Sequence, residues 1–415
     1  MAIFLRDRLD REFPIKCAEG EKIHDILVKN HIPLDSIFLR CNDKIVDDYN
    51  AVYHESNNYI VEMVRAYHLP DFLTYLNLWE NKPKEAFREG ESYYTKRLAI
   101  HDKENGDFQY LRTSFSEEEL VVYLDNMFVS GVYEAGLIEE GDDILLAISG
   151  GRDSLSLAYF LTRNKDCLPD FNLTAVHVET SSNKLETSYC IDIAKRFGIP
   201  LTVITEKETT DLYNLNVSIY DALDSIKDDY NRSYAIFSAH NIIRANVEKF
   251  AREHKKNKII YGLMKEDIAA SIMKGTFIGR PFSGPLLRNY GEFTLIYPLW
   301  PIAKKELTLY LEVVDKKNNQ QGSPMVYERG ALSRDIYYMM IDTLEDIYPG
   351  ACYQLFEAHK VANRNYIKKI DYCRCRNCGT TYTDSYRIDA EPTVERSDGL
   401  CDLCNMFNQF GYIKE

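Results

Sequence analysis

The sequence predicts an α/β protein whose largest domain is built on a doubly wound parallel sheet. Between about residues 142 and 262, short apolar runs alternate with longer segments of helical periodicity. The first apolar run ends in the hexapeptide SGGRDS, and the C-terminal segment contains two C-x-x-C pairs. Strands that alternate with helices form parallel sheets covered on both faces, and such sheets bind ligands beyond the carboxyl ends of their strands.

Length and composition set the limits for this prediction. The chain has 415 residues, of which 45% are hydrophobic, so it can bury a large core and contain more than one domain. Its net charge of −14 argues against nonspecific coating of nucleic acid, although twelve Lys and Arg stand against six Asp and Glu between His240 and Tyr310. No apolar run approaches the roughly 20 residues of a membrane span, and the N-terminus lacks the apolar core of a signal peptide. We expect a cytoplasmic protein without membrane contact.

Residues 1–67 are predicted to form a small domain of their own. The runs IFLRD and EFPIKC indicate a hairpin, EKIHDILVKNHI has helical spacing, and SIFLRCNDKIV and NYIVEMVRAY indicate further strands around the turn at Cys41-Asn42-Asp43. The order ββαββ resembles the β-grasp fold of ubiquitin and the small sulfur carriers. Sulfur carriers end in a free Gly-Gly, whereas this chain continues without a glycine pair. The resemblance therefore implies a ubiquitin-like module that docks a protein partner.

The rest of the chain divides into four segments. Residues 68–125 are predicted to be a helical linker, with one helix in LPDFLTYLNLWENKPKEAF and an amphipathic helix in SEEELVVYLDNMFVSGVYEAGLI that begins after the N-cap Ser116. Residues 126–312 hold the parallel sheet, whose predicted strands are DDILLAIS, FNLTAVHVET, LTVIT and KIIYGLM. A helical segment follows at 313–370, and residues 371–412 contain the paired cysteines.

The hexapeptide from Ser149 to Ser154 lies between the first strand of the predicted sheet and its helix. Gly150 and Gly151 allow a tight turn and bring backbone N–H groups close to a ligand, and the start of a helix favours an anion. The two serines add hydroxyl donors. Asp153 would repel a phosphate by itself, so a carboxylate at this position indicates a bound Mg²⁺. The stretch fits neither the Walker loop nor the dinucleotide-binding fingerprint.

The hexapeptide matches the S-G-G-x-D-S signature of the PP-loop ATP pyrophosphatases, and further segments resemble the same superfamily. KIIYGLMKEDIAASIMKG is similar to its strand–G-H-N-x-D-D-x-A–helix segment, with Gly262 and Asp267 in place. Leu263, Met264 and Glu266 replace the His, the Asn and the first Asp. FTLIYPLWPIAKKEL is similar to its PL…KxE turn, and ERGALSRDIYYMMIDTLEDIYPG to the arginine-bearing helix that follows. Together these segments resemble the tRNA 2-thiolation branch, whose enzymes make 2-thiouridine or 2-thiocytidine.

The resemblance implies an activity and a set of site residues. PP-loop enzymes cleave ATP between its α and β phosphates, adenylate an oxygen of the substrate and release pyrophosphate. The implied catalytic residues are Asp153, Ser154 and Asp267, and Asp153 also binds Mg²⁺. The implied ATP-binding residues are Ser149, Gly150, Gly151, Arg152, Asp153, Ser154, His177 and Gly262. His177 and Glu179 end the second predicted strand, where the fold places the adenosine.

The cysteines that hold an iron–sulfur cluster in the thiolation branch are missing. The positions of its C-x-x-C pair read Phe237-Ser238-Ala239-His240, and the stretch Asn319–Ser323, where the third cysteine belongs, contains none. Iron–sulfur ligation requires thiolates, so we expect no cluster. Cys167 and Cys190 could carry a persulfide in principle, but a free cysteine is more often a small buried hydrophobic residue.

Four C-terminal cysteines predict a zinc ribbon. Cys375 and Cys378 form one C-x-x-C pair, Cys401 and Cys404 form the second, and their separation is close to that of known ribbons. In a cytoplasmic chain such pairs indicate a metal rather than disulfides. Two pairs complete a tetrahedral site without an open position, so the zinc is expected to be structural. Cys373 is a fifth cysteine without an assigned role.

Seven further basic residues are weaker candidates: Lys274, Arg280, Arg288, Lys304, Lys305, Arg329 and Arg334. The first three lie in the glycine-rich stretch MKGTFIGRPFSGPLLRN, which we interpret as a surface loop or, alternatively, as a segment that closes over ATP or a tRNA phosphate. Lys304 and Lys305 are expected at the surface. The last two match the arginine-bearing helix of the resemblance.

Three functions therefore stay open. The first is an ATP-dependent adenylating enzyme similar to the tRNA-thiolating ones, with ATP, Mg²⁺ and Zn²⁺ as cofactors and tRNA as its partner. The second is a PP-loop ligase or amidating enzyme that uses an amine nucleophile on a substrate other than tRNA. The third is an ATP-binding scaffold that docks partners through its β-grasp domain. The intact hexapeptide favours an enzyme, whereas the loss of the His, the Asn and the first Asp favours the scaffold.

Overall fold

A computed structural model describes most of the chain. The described residues are 3–6, 12–30, 32, 34, 37–46, 48–63, 86–87, 93–101, 108–179, 184–229, 232–277, 286–290, 292–315, 332–366, 372–383 and 399–414. They form four sheets and the helices that pack on them. Within these ranges, no helix combines the length and apolar character needed to cross a bilayer.

The N-terminal sheet has five strands, which are β1 (Ile3–Arg6), β2 (Glu12–Ile15), β3 (Ile37–Cys41), β4 (Lys44–Ile45) and β5 (Tyr59–Met63). Their order is β2-β1-β5-β3-β4, with β1 and β5 parallel and the other neighbours antiparallel. Helix α1 (Ile23–Lys29) packs its apolar side into this domain's core. The sheet has one strand more than the predicted order ββαββ. Asn42 and Asp43 adopt φ values of 50° and 65°, which close a hairpin inside the run SIFLRCNDKIV.

A small sheet follows where the sequence predicts a helical linker over 68–125. It consists of β6 (Ala86–Phe87), β7 (Tyr94–His101) and β8 (Phe108–Phe115), and β7 and β8 form an antiparallel hairpin. The linker prediction is wrong for these residues, because YTKRLAIH and FQYLRTSF are rich in the aromatic residues and threonines that favour strands. Most of the helix predicted in LPDFLTYLNLWENKPKEAF lies outside the described residues. Helix α2 (Glu117–Glu134) begins as predicted after Ser116, which forms a capping box with Glu119.

The central sheet has six strands, which are β9 (Asp142–Ala147), β10 (Phe171–Val178), β11 (Leu201–Ile204), β12 (Lys258–Ile260), β13 (Leu287–Tyr290) and β14 (Phe293–Ile296). Their order is β11-β10-β9-β12-β14-β13, and all neighbours are parallel except the edge pair β13–β14. The predicted parallel sheet is confirmed. The interpretation of Arg288 as a loop residue is wrong, because it lies on β13 and pairs with Leu295 of β14.

The helices after β9 are α3 (Arg152–Arg163), α4 (Lys184–Phe197), α5 (Glu206–Leu212), α6 (Ile219–Asp229), α7 (Arg232–Glu253), α8 (Lys265–Phe277), α9 (Lys304–Val314), α10 (Leu332–Ile347) and α11 (Ala351–Tyr366). Three aromatic rings connect α2, α3 and α9. Phe160 stacks on Phe128 with ring centroids 5.0 Å apart and on Tyr310 with centroids 4.3 Å apart. This stack fixes α3 and α9 relative to each other, which matters because both helices begin at the candidate site.

The C-terminal unit consists of β15 (Tyr372–Arg374), β16 (Thr381–Thr383) and α12 (Asp402–Gln409). It packs on α7 through charged hydrogen bonds. Arg252 Nη2 donates to the carbonyl of Gly379 at 2.6 Å, and the N–H of Thr381 donates to the buried carboxylate of Glu248 at 2.7 Å. The unit is therefore attached to the domain that carries the parallel sheet.

Candidate nucleotide site and metal centre

The glycine loop, Ser149–Ser154, follows the carboxyl end of β9 and leads into α3. Gly150 adopts a φ of +75°, in the left-handed region that suits glycine. A Cβ on Gly150 would also lie 3.3 Å from both Cys190 Sγ and Glu186 Cγ of α4. The loop therefore requires glycine here for its backbone conformation and for its close approach to α4.

Two hydroxyl groups hold the loop in shape. Ser154 Oγ donates to the carbonyl of Gly151 at 3.0 Å and accepts from the N–H of Ser149 at 3.3 Å. Ser149 Oγ accepts from the N–H of Gly151 at 3.4 Å. Helix α3 begins after Gly151 without a side-chain cap. The N–H groups of its first turn lack intrahelical acceptors and lie at the positive end of the helix dipole, which is an arrangement that binds anions.

Gly262 joins the second predicted motif to the loop. Because β12 pairs in parallel with β9, both strands end at the same edge of the sheet. A Cβ on Gly262 would lie 3.1 Å from Asp153 Cβ and 3.3 Å from the carbonyl carbon of Asp153. These distances are shorter than ordinary contacts, so the approach of β12 to the first turn of α3 requires a residue without a side chain.

Lys304 faces the loop, so its predicted place at the surface is wrong. Its Nζ lies 2.6 Å from Asp153 Oδ1, and the Lys304 and Asp153 side chains are 16% and 37% exposed. Lys304 is also the first residue of α9, and its N–H donates to both carboxylate oxygens of Glu266 at 3.0 and 3.2 Å. The carbonyl of Ile302 accepts from the N–H of Lys265, which holds the start of α9 against the start of α8. The sequence signal was present, since Lys304, Lys305 and Glu306 spell the KxE of the PL…KxE turn. The pattern did not indicate which way the Lys304 side chain faces.

Asp267 lies in the first turn of α8, and both of its oxygens have partners. Oδ2 accepts from the N–H of Met264 at 3.1 Å, and Oδ1 accepts from the hydroxyl of Tyr338 on α10 at 2.6 Å. The carboxylate thus caps α8 and connects it to α10. A metal ion at Asp267 would compete with Tyr338, whereas the Asp153 carboxylate is more than one-third exposed. Asp153 is therefore the better placed of the two for Mg²⁺, which prefers carboxylate oxygens.

His177, which we expect near the adenosine, lies buried beneath the loop. Its Nδ1 is 2.9 Å from the carbonyl oxygen of Ile148 and 3.3 Å from Cys190 Sγ, and its Nε2 is 3.2 Å from Thr187 Oγ1. Burial lowers the pKa of the His177 imidazole, so the ring supports β9 as a neutral group. Burial also raises the pKa of the Cys190 thiol to about 12, which supports a packing role for Cys190 over a sulfur carrier. Glu179 is buried too and accepts from Thr187 at 3.3 Å.

Lys305 is likewise no surface residue, since only 2% of it is exposed. Its Nζ donates to the carbonyl of Leu34 at 3.1 Å and to the hydroxyl oxygen of Tyr49 at 2.7 Å. The same Nζ lies 5.0 Å from the centroid of the Tyr49 ring and 5.6 Å from that of Tyr94. Lys305 therefore belongs to the contact between α9 and the N-terminal sheet.

A cavity of about 50 Å³ opens beside Lys305, and its lining is strongly charged. The ionisable residues around it are Lys96, Lys265, Lys305, Glu266, Glu306, Asp342 and Glu345. Glu306 pairs with Lys96 of β7 at 2.5 Å, and Lys265 pairs with Glu345 of α10 at 3.0 Å. Burial alone would raise the pKa of the Glu306 carboxyl, but Lys96 and Lys265 hold it below its ordinary value. These pairs connect β7, α8, α9 and α10 around one polar centre.

The four predicted cysteine ligands come together. The Sγ atoms of Cys375, Cys378, Cys401 and Cys404 all lie within 4.8 Å of one another, and all four residues are buried. Gly379, directly after the first pair, adopts a φ of +71° and closes the knuckle. Four thiolates in this arrangement fit a four-coordinate metal such as zinc. Cys373 lies on β15, outside this set.

Some predictions fall on residues that the structure does not describe. Arg280, Arg329 and the stretch Asn319–Ser323 lie outside the described ranges. The side chains of Phe237, Ser238, Ala239 and Arg334 are not described either, although their backbones lie on α7 and α10. Lys274 is exposed, but it lies on α8, so its interpretation as a loop residue is wrong.

No protein-family model matches the chain. Over 186 residues, or 44% of this chain and 54% of the relative, it is 25% identical to the tRNA-cytidine(32) 2-sulfurtransferase of Neisseria meningitidis serogroup A. It is 21% identical to the enzyme of the same name from Psychromonas ingrahamii over 311 residues, which are 72% of this chain and 94% of that protein. The chain thus spans about half the length of the Neisseria relative.

The fold is also similar to that of a protein of known structure. The chain is similar to the U34-tRNA thiolase NcsA from Methanococcus maripaludis with its [4Fe-4S] cluster, with a TM-score of 0.50 and 19% identity over 65% of this chain and 86% of that one. This likeness supports the PP-loop fold that the sequence resemblance implies, and the relatives in sequence are tRNA-modifying enzymes. The expectation of no iron–sulfur cluster stays a prediction, because NcsA holds one and this chain brings four cysteines together.

Proposed function

We propose that this protein is a cytoplasmic PP-loop enzyme that binds ATP at the glycine loop and adenylates a carbonyl oxygen of a tRNA pyrimidine. The observation that carries the proposal is the uncapped start of α3 with Asp153 in its first turn. The helix start suits phosphate oxygens, and the carboxylate beside it favours a phosphate that carries a metal ion. The similarity to tRNA sulfurtransferases supports tRNA as the substrate.

The residues of the loop have distinct proposed roles. The N–H groups of Gly150 and Arg152 bind the β and γ phosphates. The hydroxyls of Ser149 and Ser154 keep the loop rigid, and the Ser149 hydroxyl adds a donor. Mg²⁺ bound by the loop's carboxylate would neutralise charge on the departing pyrophosphate. Because these donors are fixed before the reaction, they stabilise the leaving group without reorganisation.

The proposed reaction has two steps. The C2 oxygen of the pyrimidine attacks the α-phosphorus of ATP, the bond from that phosphorus to the α–β bridging oxygen breaks, and pyrophosphate leaves. A sulfide nucleophile then attacks C2, and AMP leaves with the former C2 oxygen. Asp267 takes part as a residue that fixes α8 against α10 through Tyr338, 2.6 Å away.

The other parts of the chain have proposed roles as well. Residues 1–67 form a β-grasp domain, which the strand order β2-β1-β5-β3-β4 around one helix supports. Residues 126–312 form the PP-loop domain, and residues 371–412 form a ribbon with a structural zinc. Anaerobically purified protein should contain zinc and no iron; iron in stoichiometric amounts would overturn the prediction that no cluster is bound.

The test is pyrophosphate release. Purified protein is incubated with ATP, Mg²⁺ and total tRNA, with and without sulfide, and pyrophosphate and AMP are measured. Release should rise with tRNA and disappear in Asp153→Ala. Asp211→Ala serves as the matched control, because Asp211 lies in an exposed ion pair on α5. Pyrophosphate release that does not depend on tRNA would contradict tRNA as the substrate. Pyrophosphate release by Asp153→Ala at the wild-type rate would contradict the proposed ATP site.

A further inference from the structure

The first turn of α9 holds three neighbouring charged residues that contact three different parts of the molecule. Lys304 pairs with Asp153 of the glycine loop at 2.6 Å. Lys305 donates to Leu34 and Tyr49 of the N-terminal domain. Glu306 pairs with Lys96 of the β7–β8 hairpin. The turn therefore lies between the N-terminal half of the chain and the nucleotide site.

This turn is held as a rigid block. Glu306 accepts from the N–H of Ala303 at 2.9 Å, and Glu266 accepts from the N–H of Lys304 at 3.0 Å, so two backbone donors at the helix start have carboxylate acceptors. Residues Lys305 to Leu311 of α9 are buried. A turn fixed in this way transmits a displacement of Lys305 to Lys304, because the two residues share one peptide unit.

A purely structural contact between α9 and the N-terminal domain would not require a buried lysine at position 305. Burying an ammonium group is costly unless oxygen atoms bind it, and an apolar residue in the same space avoids that cost. Here the N-terminal domain supplies a carbonyl and a hydroxyl oxygen, and the Tyr49 hydroxyl itself donates to the Leu34 carbonyl at 2.8 Å. The three groups thus form a buried triangle that fixes where Lys305 stands.

We propose that the N-terminal domain docks on its own catalytic domain and, through Tyr49 and Lys305, positions Lys304 as a residue of the ATP site. Lys304 neutralises Asp153 before the nucleotide arrives and then remains beside the phosphates when Asp153 takes up the metal. This inference rests on the proposed ATP site and adds a cationic residue and a positioning domain to it. It also means that the surface of the N-terminal domain around Tyr49 is in contact with α9 of the same chain.

The test measures the affinity of the full-length protein for a fluorescent ATP analogue, with Mg²⁺ and with EDTA. Lys304→Met should weaken binding about tenfold, as expected for loss of a charged contact, and Lys304→Arg should restore most of it. The Lys304→Met loss should be larger in EDTA, because no metal then offsets the Asp153 charge. Lys207→Met is the matched control, since Lys207 forms an exposed ion pair with Asp211.

The role of the N-terminal domain is tested by Tyr49→Phe, which removes one oxygen that binds Lys305. Affinity for the analogue should fall about threefold in the wild-type background and should not fall further in the Lys304→Met background. Tyr53→Phe is the control, because Tyr53 is equally buried in the same domain but lies beside Tyr59 and Cys17. Melting temperatures of all variants exclude loss of folding as the cause.

The outcomes separate this inference from the proposed function. If wild-type protein binds the analogue and Asp153→Ala does not, the ATP site stands whatever Tyr49→Phe does. Unchanged affinity in Tyr49→Phe, or an equal loss in both backgrounds, would then overturn the positioning role alone. Unchanged affinity in Lys304→Met would overturn the role of Lys304. Absence of binding to wild-type protein would overturn the proposed function and this inference together.

Discussion

Replacing Gly262 with alanine should weaken ATP binding while leaving the fold intact. The added Cβ would lie 3.1 Å from Asp153 Cβ, 3.3 Å from the Asp153 carbonyl carbon and 3.4 Å from its carbonyl oxygen. Two of these atoms are backbone atoms of the first turn of α3, so they cannot rotate away. The backbone of Gly262 is outside the left-handed region, and alanine therefore adds a contact without adding conformational strain.

The size of the effect follows from these distances. Carbon atoms in good contact lie about 3.5–4.0 Å apart, so Gly262 and the first turn of α3 must separate by at least roughly 0.4 Å to relieve the 3.1 Å contact. Adding one methyl group to a tight contact typically costs about 1–3 kcal/mol. Because the glycine loop precedes the displaced turn directly, we expect most of that energy to appear as lost ATP affinity. The expected loss is about tenfold or more.

The assay compares two alanine variants. The control is Gly198→Ala, because Gly198 has a φ of +63°, which strains an alanine, while the added Cβ would contact nothing within 4 Å. That variant should melt several degrees below wild type and keep most of its affinity for a fluorescent ATP analogue. Gly262→Ala should show the reverse pattern. Wild-type affinity in Gly262→Ala would refute the reasoning that Gly262 and the glycine loop share a nucleotide site.

Three further predictions concern other parts of the molecule. Glu306→Gln should lower the free energy of unfolding by about 3–5 kcal/mol in urea titrations, because it leaves Lys96 buried without its carboxylate partner. The pKa of Glu306 is lower in the folded state, so its contribution to stability is present above the ordinary value of 4.5 and is lost as the pH falls below it. Below that pH, the stability of the wild type should therefore decline more steeply than that of the variant. Cys378→Ser should release bound zinc and expose the C-terminal unit to proteolysis, and retention of one zinc per chain would contradict the four-cysteine site. Iodoacetamide at pH 8 should alkylate the exposed Cys167 rapidly and Cys190 only after unfolding, as peptide mapping can show.

The parallel sheet could be predicted because its signals are local. The four strands that were predicted are short apolar runs with a turn or helix on either side, whereas the edge pair β13–β14 was not predicted. Helix α2 begins after a serine that satisfies an ordinary capping rule. The C-terminal four-cysteine site could be predicted equally well, since two C-x-x-C pairs supply four thiolates at a spacing typical of zinc sites. These features depend on neighbouring residues alone.

The contacts of the first turn of α9 could not be predicted in this way. Lys304 and Lys305 were expected at the surface. The positions of Lys304, Lys305 and Glu306 depend on partners that are 151, 256 and 210 residues away in the sequence. The hairpin before α2 was missed for a related reason, because its strands pack against α2 and carry no clean alternation. Sequence reasoning thus located the loop but not the cation that faces it.

The central claim is that ATP activates a carbonyl oxygen of tRNA. The most direct measurement uses tRNA transcribed with pyrimidines that carry ¹⁸O at C2, incubated with the protein, ATP, Mg²⁺ and sulfide. Mass spectrometry of the released AMP then reports where its new oxygen comes from. The account predicts AMP that contains ¹⁸O, together with a tRNA pyrimidine that has gained sulfur. Unlabelled AMP formed at the same rate would show that water attacks ATP and would contradict adenylation of the tRNA.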